Sequence, residues 1–306
     1  MPLHPQALAE LAELPTTWRD LEAIESMTAA RARALERGAK GAPAPPPGVA
    51  VEELVVAGAA GSLPARAYRP DSGATVGAVL WMHGGGFVAG SAAMERIPGP
   101  LSLAAGCAIV SIDYRLAPEH PFPAALEDCG AALRWIEENG DGFSGPIAVA
   151  GESAGGNLAA ATALMAREAG GPRIAAQALL VPALAPDFDG PSRRSPEVGA
   201  FARPEAIDWI WRQYLGDQPG SDPLASPLAA ASLAGLPPAV IVTAEYDVLR
   251  DEGEEYARRL CAAGVAVSAR RYDGVYHGFA ESPAIDAAAD CIAFVGAELR
   301  SALAAA

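Results

Sequence analysis

Nowhere in the 306 residues do eighteen apolar positions run together, so no segment is expected to span a membrane. Basic side chains are scarce: 22 Lys and Arg stand against 37 Asp and Glu, a net charge of −15. A surface of that sign repels phosphate backbones and argues against nucleic acid as a partner. It serves solubility, and it favours a neutral or cationic small molecule over a polyanion. Cysteine is equally sparse. Cys107, Cys129, Cys261 and Cys291 form no C-x-x-C pair, and no histidine sits at zinc-ligand spacing from them. Buried free thiols are expected, not a disulfide frame. The first fourteen residues have neither a basic start nor an apolar block. No secretory leader is expected, and the cytoplasm is the expected compartment. Histidine is limited to His4, His83, His120 and His277. Any chemistry that needs an imidazole must use one of these four.

What is present is ample for one large core, since 51% of the residues are hydrophobic. Residues 1–37 read as helical, because Leu11, Leu14, Trp18 and Leu21 recur at three- and four-residue spacing and make one apolar face. Pro15 is expected to start a second helix, as proline is tolerated in a first turn. Residues 41–48 (GAPAPPPG) read as a stiff linker. Strands and helices then alternate. Strands are expected over 51–56, 63–69, 77–82, 108–114, 146–150, 174–181, 239–244 and 267–272, and helices over 124–139 and 157–169. Continuous apolar runs separated by helices indicate a largely parallel sheet covered on both faces, an α/β fold. The stretch from Pro186 to about Gly220 breaks the rhythm. It has no strand signal and carries Phe188, Phe201, Trp209, Trp211 and Tyr214. It reads as a lid, with a helix packed on the core as the competing reading. No internal repeat is visible.

Two short motifs carry chemistry. Gly151-Glu152-Ser153-Ala154-Gly155 is a G-x-S-x-G nucleophile elbow, preceded by an apolar strand and followed by a helix pattern. Such a turn is too tight for side chains at its ends, and it aims the serine hydroxyl out at the carboxyl edge of the sheet. It also places the Ala154 N–H at a helix N-terminus, where amide donors are free and the dipole favours an anion. His83-Gly84-Gly85-Gly86 is a glycine run whose backbone can turn its N–H groups inward without obstruction by a Cβ. Together they point to a serine that attacks a carbonyl, with amide donors holding the resulting oxyanion.

A serine hydroxyl needs a base to take its proton. His4 lies in the N-terminal tail, His83 in the glycine motif and His120 in a proline-rich turn (EHPFP). His277 follows the last expected strand, where sheet-based sites gather, and is the expected base. His83 is expected to fix its loop through hydrogen bonds. The base needs an orienting carboxylate, and the chain order Ser–Asp–His is the one such a fold uses. Asp247, directly after the strand 239–244, fits best. Asp251 competes from the first turn of the next helix, where an acid has an ordinary capping role. Asp273 and Glu245 are weaker candidates. The constellation implies no metal and no organic cofactor.

With these residues in place, the chain resembles the hormone-sensitive-lipase-like branch of the α/β-hydrolase fold, the bacterial carboxylesterases. The likeness runs from about residue 50 to the end. It rests on HGGGF (83–87), DYRLAPEHPFPAALEDC (113–129), GESAGGNLA (151–159), DVLRDEG (247–253) and HGF (277–279). The resemblance implies Ser153 as nucleophile, Asp247 as acid and His277 as base. It implies an oxyanion hole from Gly84, Gly85 and Gly86, most firmly the last two, with Ala154. It implies an eight-stranded, mostly parallel sheet in a single domain. A helical cap would come from about 1–45 and 187–218, over a catalytic core of about 50–186 and 219–306. A serine carboxylesterase acting on short- to medium-chain esters is the expected function. An amidase or acyltransferase would use the same triad, and a non-catalytic small-molecule receptor is the remaining alternative. The partner expected is a small-molecule ester, and a homodimer would fit the family. Two positions depart from the pattern. Glu152 stands where relatives more often have Asp or Thr, and Val248 where they often have Pro.

Overall fold

Strands that are apolar at every position need cover on both faces, and the chain supplies it with helices on either side of one sheet. The computed structural model describes residues 2–306 except 15, 30–31, 33–42, 74, 140–142, 196–197 and 199–200. The strands are β1 (Val49–Gly58), β2 (Gly61–Pro70), β3 (Ala78–Met82), β4 (Ala108–Ile112), β5 (Ile147–Glu152), β6 (Ile174–Leu180), β7 (Ala239–Tyr246) and β8 (Val267–Tyr276). Their order across the sheet is β1-β2-β4-β3-β5-β6-β7-β8. β2 runs antiparallel to both β1 and β4, and every other pairing is parallel. The described helices are α1 (Pro5–Glu13), α2 (Leu21–Glu25), α3 (Pro98–Ala105), α4 (Ala124–Glu138), α5 (Ala154–Ala169), α6 (Pro191–Arg194), α7 (Pro204–Leu215), α8 (Arg250–Ala262) and α9 (Asp286–Ala305).

Successive strand side chains point to opposite faces, so one sheet builds two cores. Ala78, Leu80 and Met82 of β3 join Leu133 of α4, Leu158 of α5 and Leu260 of α8. Val79 and Trp81 join Leu101 of α3 with Val295 and Leu299 of α9. On that second face α3 and α9 cross closely: a Cβ on Gly296 would lie 2.4 Å from the Ala104 Cβ. Neither α3 nor α9 stands out in the sequence. α3 is apolar nearly throughout and α9 is alanine-rich, so neither shows a clear amphipathic stripe.

The N-terminal expectation needs correction. Leu11, Leu14, Trp18 and Leu21 do not form one helical face. α1 stops at Glu13 and Leu14 is extended at ψ 146°, the conformation forced on a residue before proline. Trp18 lies in a short 3-10 turn, residues 17–19, and Leu21 on α2 is 43% exposed. The Arg19 guanidinium closes the break by donating to the Leu11 and Leu14 carbonyls at 3.1 and 3.3 Å. A helix start at Pro15 lies outside the described residues, as does most of the segment 30–42. Pro43–Gly48 runs without helix or strand up to β1.

The stretch 186–220 meets both the core and a cavity. Trp211 and Tyr214 of α7 are fully buried against the core, as an ordinary packed helix would be. Phe201, Ile207 and Ile210 instead face a cavity at the carboxyl edge of the sheet. The Arg203 N–H donates to the Trp18 carbonyl at 2.8 Å, which joins this insertion to the N-terminal segment. All four cysteines are free, but only Cys107, Cys129 and Cys291 are buried. Cys261 is exposed on the outer side of α8, contrary to expectation.

Candidate active site

Register brings the site together. Met82 pairs with Gly151, so the glycine run after β3 and the serine after β5 leave neighbouring strand ends. Tyr246 pairs with Tyr276, so Asp247 and His277, the next residue on each strand, emerge side by side.

Ser153 sits between β5 and α5 at φ 56°, ψ −114°, a backbone conformation that L residues rarely adopt. The flanking glycines are required by contact. A Cβ on Gly155 would lie 1.9 Å from the Met82 carbonyl oxygen, and one on Gly151 would lie 2.3 Å from the Gly155 carbonyl oxygen. The Ser153 N–H donates to Leu180 at 2.8 Å, and its carbonyl accepts from Asn157 at 3.1 Å. α5 begins at Ala154, three residues earlier than the sequence pattern suggested, so the Ala154 N–H is one of the unpaired first-turn donors of a sixteen-residue helix.

His277 Nε2 lies 2.9 Å from Ser153 Oγ, and Nδ1 lies 2.8 Å from Asp247 Oδ2. The carboxylate can only accept, so Nδ1 carries the proton and Nε2 presents its lone pair to the serine hydroxyl. Asp247 is buried, and its Oδ1 accepts the Leu249 N–H at 2.9 Å. The competing acids are engaged elsewhere. Asp251 accepts the Ser192 N–H at 2.6 Å, Asp273 pairs with Arg271 at 2.9 Å, and Glu245 accepts the Gly274 N–H at 2.7 Å. Among the other histidines, His4 accepts from Gln6 at the start of α1 and His120 is exposed.

The glycine run turns beside the serine. Gly85 and Gly86 have φ of 110° and 62° and line the cavity with Ser153 and His277. A side chain on Gly85 would lie 2.4 Å from the Ala89 carbonyl oxygen, and one on Gly86 would meet Ile210 at 2.9 Å. Gly84 backs the site: a Cβ there would lie 3.2 Å from a Glu152 carboxylate oxygen and 3.9 Å from the Ser153 Cβ. Glu152 is buried and also reaches the cavity wall. His83 fixes the loop as expected. Its Nδ1 lies 2.7 Å from the Gly84 carbonyl oxygen, and its ring stacks on Tyr114 at 4.2 Å. The Tyr114 hydroxyl donates to the His83 carbonyl at 2.8 Å, and burial holds that phenol well above its usual pKa. Phe87, next in line, stacks on Tyr214 of α7 at 3.7 Å.

The cavity has a volume of about 310 Å³. Trp18, Phe201, Ile207, Ile210 and Tyr276 make its apolar walls. Phe201 lies nearly parallel to Tyr276 and 5.7 Å from the His277 ring. The Tyr276 hydroxyl donates to Glu10 of α1 at 2.7 Å, so the N-terminal helix holds the strand end that carries His277.

Three supporting residues were not visible as such in the sequence. Asp128 is fully buried and accepts from Arg115 Nε at 2.8 Å and from the Ala59 N–H at 3.0 Å, which ties the turn after β4 to the β1–β2 hairpin. Glu252 of α8 accepts the Leu184 N–H at 3.0 Å, and burial pushes its carboxyl up to about 8. Ser192 of α6 contacts the turn that holds Asp247. The DVLRDEG block could have flagged Glu252, because an acid packed behind another acid must be neutral or paired. Nothing local marks Ser192. Among the described residues, no three His, Cys, Asp or Glu side chains cluster as metal ligands would, and no helix is long and apolar enough to cross a membrane.

A hydroxyl bonded to an imidazole whose other nitrogen faces a buried carboxylate can be deprotonated as it attacks. Comparison with known proteins identifies the family. Residues 79–281 match the alpha/beta hydrolase fold family. The carboxylic ester hydrolase LipN of Mycobacterium tuberculosis is 43% identical over 253 residues, covering 78% of this chain and 66% of that protein. An arylesterase from Saccharolobus solfataricus is 40% identical over 227 residues, covering 72% of this chain and 74% of that protein. The solved structure of a hyperthermophilic esterase from the archaeon Pyrobaculum calidifontis superposes with a TM-score of 0.88 at 38% identity, covering 98% of this chain and 99% of that one. The chain therefore belongs to the alpha/beta hydrolase fold family, in its hormone-sensitive-lipase-like branch of carboxylic-ester hydrolases.

Proposed function

We propose that the chain is a serine carboxylesterase that works through an acyl-enzyme and favours short- to medium-chain esters. The observation that carries this reading is the unbroken chain from Ser153 Oγ to His277 at 2.9 Å and from His277 to Asp247 at 2.8 Å. Ser153 attacks the ester carbonyl as His277 accepts its proton. Asp247 holds the imidazole in the required tautomer and stabilises the imidazolium that forms. The tetrahedral oxyanion forms next to Gly85, Gly86 and the head of α5, where the Ala154 amide and those of the glycine run supply donors. His277 then protonates the departing alcohol. Water, deprotonated by the same imidazole, hydrolyses the acyl-enzyme and returns the proton to Ser153.

The N-terminal segment and the insertion 187–218 act as a cap over this site. Their aromatic and aliphatic side chains close a space of about 310 Å³, at the small end of the range for small-molecule pockets. That size supports modest acyl chains over long ones. The test is steady-state and burst kinetics with p-nitrophenyl esters of graded acyl length, beside labelling by a fluorophosphonate. Ser153→Ala should abolish both the burst and the label, and rates should fall as the acyl chain outgrows the cavity. Parental turnover by Ser153→Ala would rule the mechanism out.

A further inference from the structure

The peptide group between Val248 and Leu249 is held at both ends. Its N–H donates to Asp247 Oδ1 at 2.9 Å. Its carbonyl accepts the hydroxyl of Ser192 at 3.1 Å. Ser192 belongs to α6, in the insertion, and lies 56 residues earlier in the chain. It is almost fully buried, at 1% exposure. The same hydroxyl accepts the Asp251 N–H at 3.3 Å, while the Ser192 N–H donates to Asp251 Oδ2 at 2.6 Å. Asp251 is fixed in turn by Arg250 at 2.8 Å, whose other nitrogen donates to the Glu245 carbonyl at 3.0 Å. The root of the insertion is tied to the same helix, through the Leu184 N–H on Glu252 at 3.0 Å.

We propose that Ser192 is a positioning residue for Asp247, through which the insertion sets the orientation of the triad carboxylate. A peptide plane cannot turn at one end alone. While the Ser192 hydroxyl holds the carbonyl, the N–H stays aimed at Oδ1, and Oδ2 stays aimed at His277 Nδ1. A donor on the carbonyl also polarises the amide and strengthens its N–H as a donor. Removing the hydroxyl frees the plane to rotate and slackens the carboxylate. The imidazolium is then less well supported in the transition state, while the substrate-binding walls are untouched. Charged groups on neighbouring helices bear on Asp247: the Glu252 carboxyl of α8 interacts with it, and Arg193 of α6 interacts with Glu252 and pairs with Asp208 of α7.

The inference rests on the Ser153–His277–Asp247 reading, and its test separates the two. The experiment measures kcat, KM and the pH–kcat profile of Ser192→Ala, with circular dichroism and thermal melting to establish that it is folded. The expected result is a loss of about tenfold in kcat, the size of one hydrogen bond, with KM unchanged and the acid-limb inflection moved to lower pH. A residue that merely braced the fold would lower the melting temperature and leave that inflection in place. A folded Ser192→Ala with parental kcat and profile overturns the proposal, and so does a lower kcat with an unmoved inflection. If Ser192→Ala does not fold, Asp251→Ala releases the Ser192 backbone instead and is held to the same inflection criterion. Asp247→Asn is assayed in parallel. If it keeps parental kcat, the triad reading fails. If it loses activity and Ser192→Ala does not, only the assignment to Ser192 fails.

Discussion

Replacing Asp247 by Asn keeps the size and shape of the side chain and changes one donor–acceptor relation. The outcome follows from the two bonds it makes. Oδ1 accepts a backbone N–H from Leu249 at 2.9 Å, and Oδ2 faces His277 Nδ1 at 2.8 Å. The amide of Asn has one oxygen and one NH₂ group. Turning the NH₂ toward Leu249 would set donor against donor in a buried site, at a cost of about 1–3 kcal/mol. The oxygen therefore stays on Leu249 and the NH₂ faces His277. Nδ1 must then accept, and the imidazole proton moves to Nε2. That proton points at Ser153 Oγ, where a lone pair is needed. The ground-state structure barely changes, but the base is in the wrong tautomer. The equivalent change in a serine protease lowers kcat by about 10⁴, or about 5.4 kcal/mol of barrier. We expect a loss of that order in kcat with KM within a few-fold of the parent, since no wall of the cavity moves. The assay is steady-state hydrolysis of p-nitrophenyl acetate with melting curves beside it. A folded Asp247→Asn enzyme within tenfold of parental kcat would falsify the tautomer argument.

Other outcomes follow from the same geometry. Burial raises the Glu252 carboxyl from 4.5 to about 8, so the folded chain keeps a proton that the unfolded chain releases. That contribution to stability is complete below about 4.5 and is lost as pH rises through about 8. Glu252→Gln imitates the protonated acid and escapes the loss. Its melting temperature relative to the parent should climb across that window and then level off, and a flat difference would refute the assignment. Gly86→Ala combines a φ of 62° with a Cβ placed 2.9 Å from Ile210. It should lower kcat at least tenfold, and Ile210→Ala added to it should recover the part due to the clash. Full activity of Gly86→Ala in ester hydrolysis would show that the loop yields without cost.

The sheet and the candidate triad were legible because each leaves a local mark. Apolar runs such as 77–82 and 146–150 announce parallel strands, and the strand-to-elbow junction at Ser153 announces itself by its glycines. The choice of His277 needed only a count of four histidines and a place after the last strand. What was not legible is what depends on partners far along the chain. β8 continues to Tyr276 because Tyr246 of β7 is there to pair with it. Ser192 acquires a role only when α6 lies against the turn at Val248. The N-terminal periodicity misled because Pro15 ends the α-helical register at Leu14, and a face drawn through 11, 14, 18 and 21 crosses that break. Trp211 and Tyr214 read as lid residues because aromatic composition alone does not say which side of a helix meets the core.

The contact between Gly155 and the Met82 carbonyl, close enough to exclude any side chain, has a bearing on how activity first arises. Met82 ends β3 and Gly155 lies beyond β5, two strands that are neighbours in space but separated by a long crossover in the chain. Until those strands zip together and β6 brings the Leu180 carbonyl to the Ser153 N–H, the contacts that hold Ser153 in its contorted backbone state are incomplete. A nascent or partly unfolded polypeptide thus carries only an ordinary, unreactive hydroxyl, and ester turnover becomes a reporter of when the centre of the sheet closes.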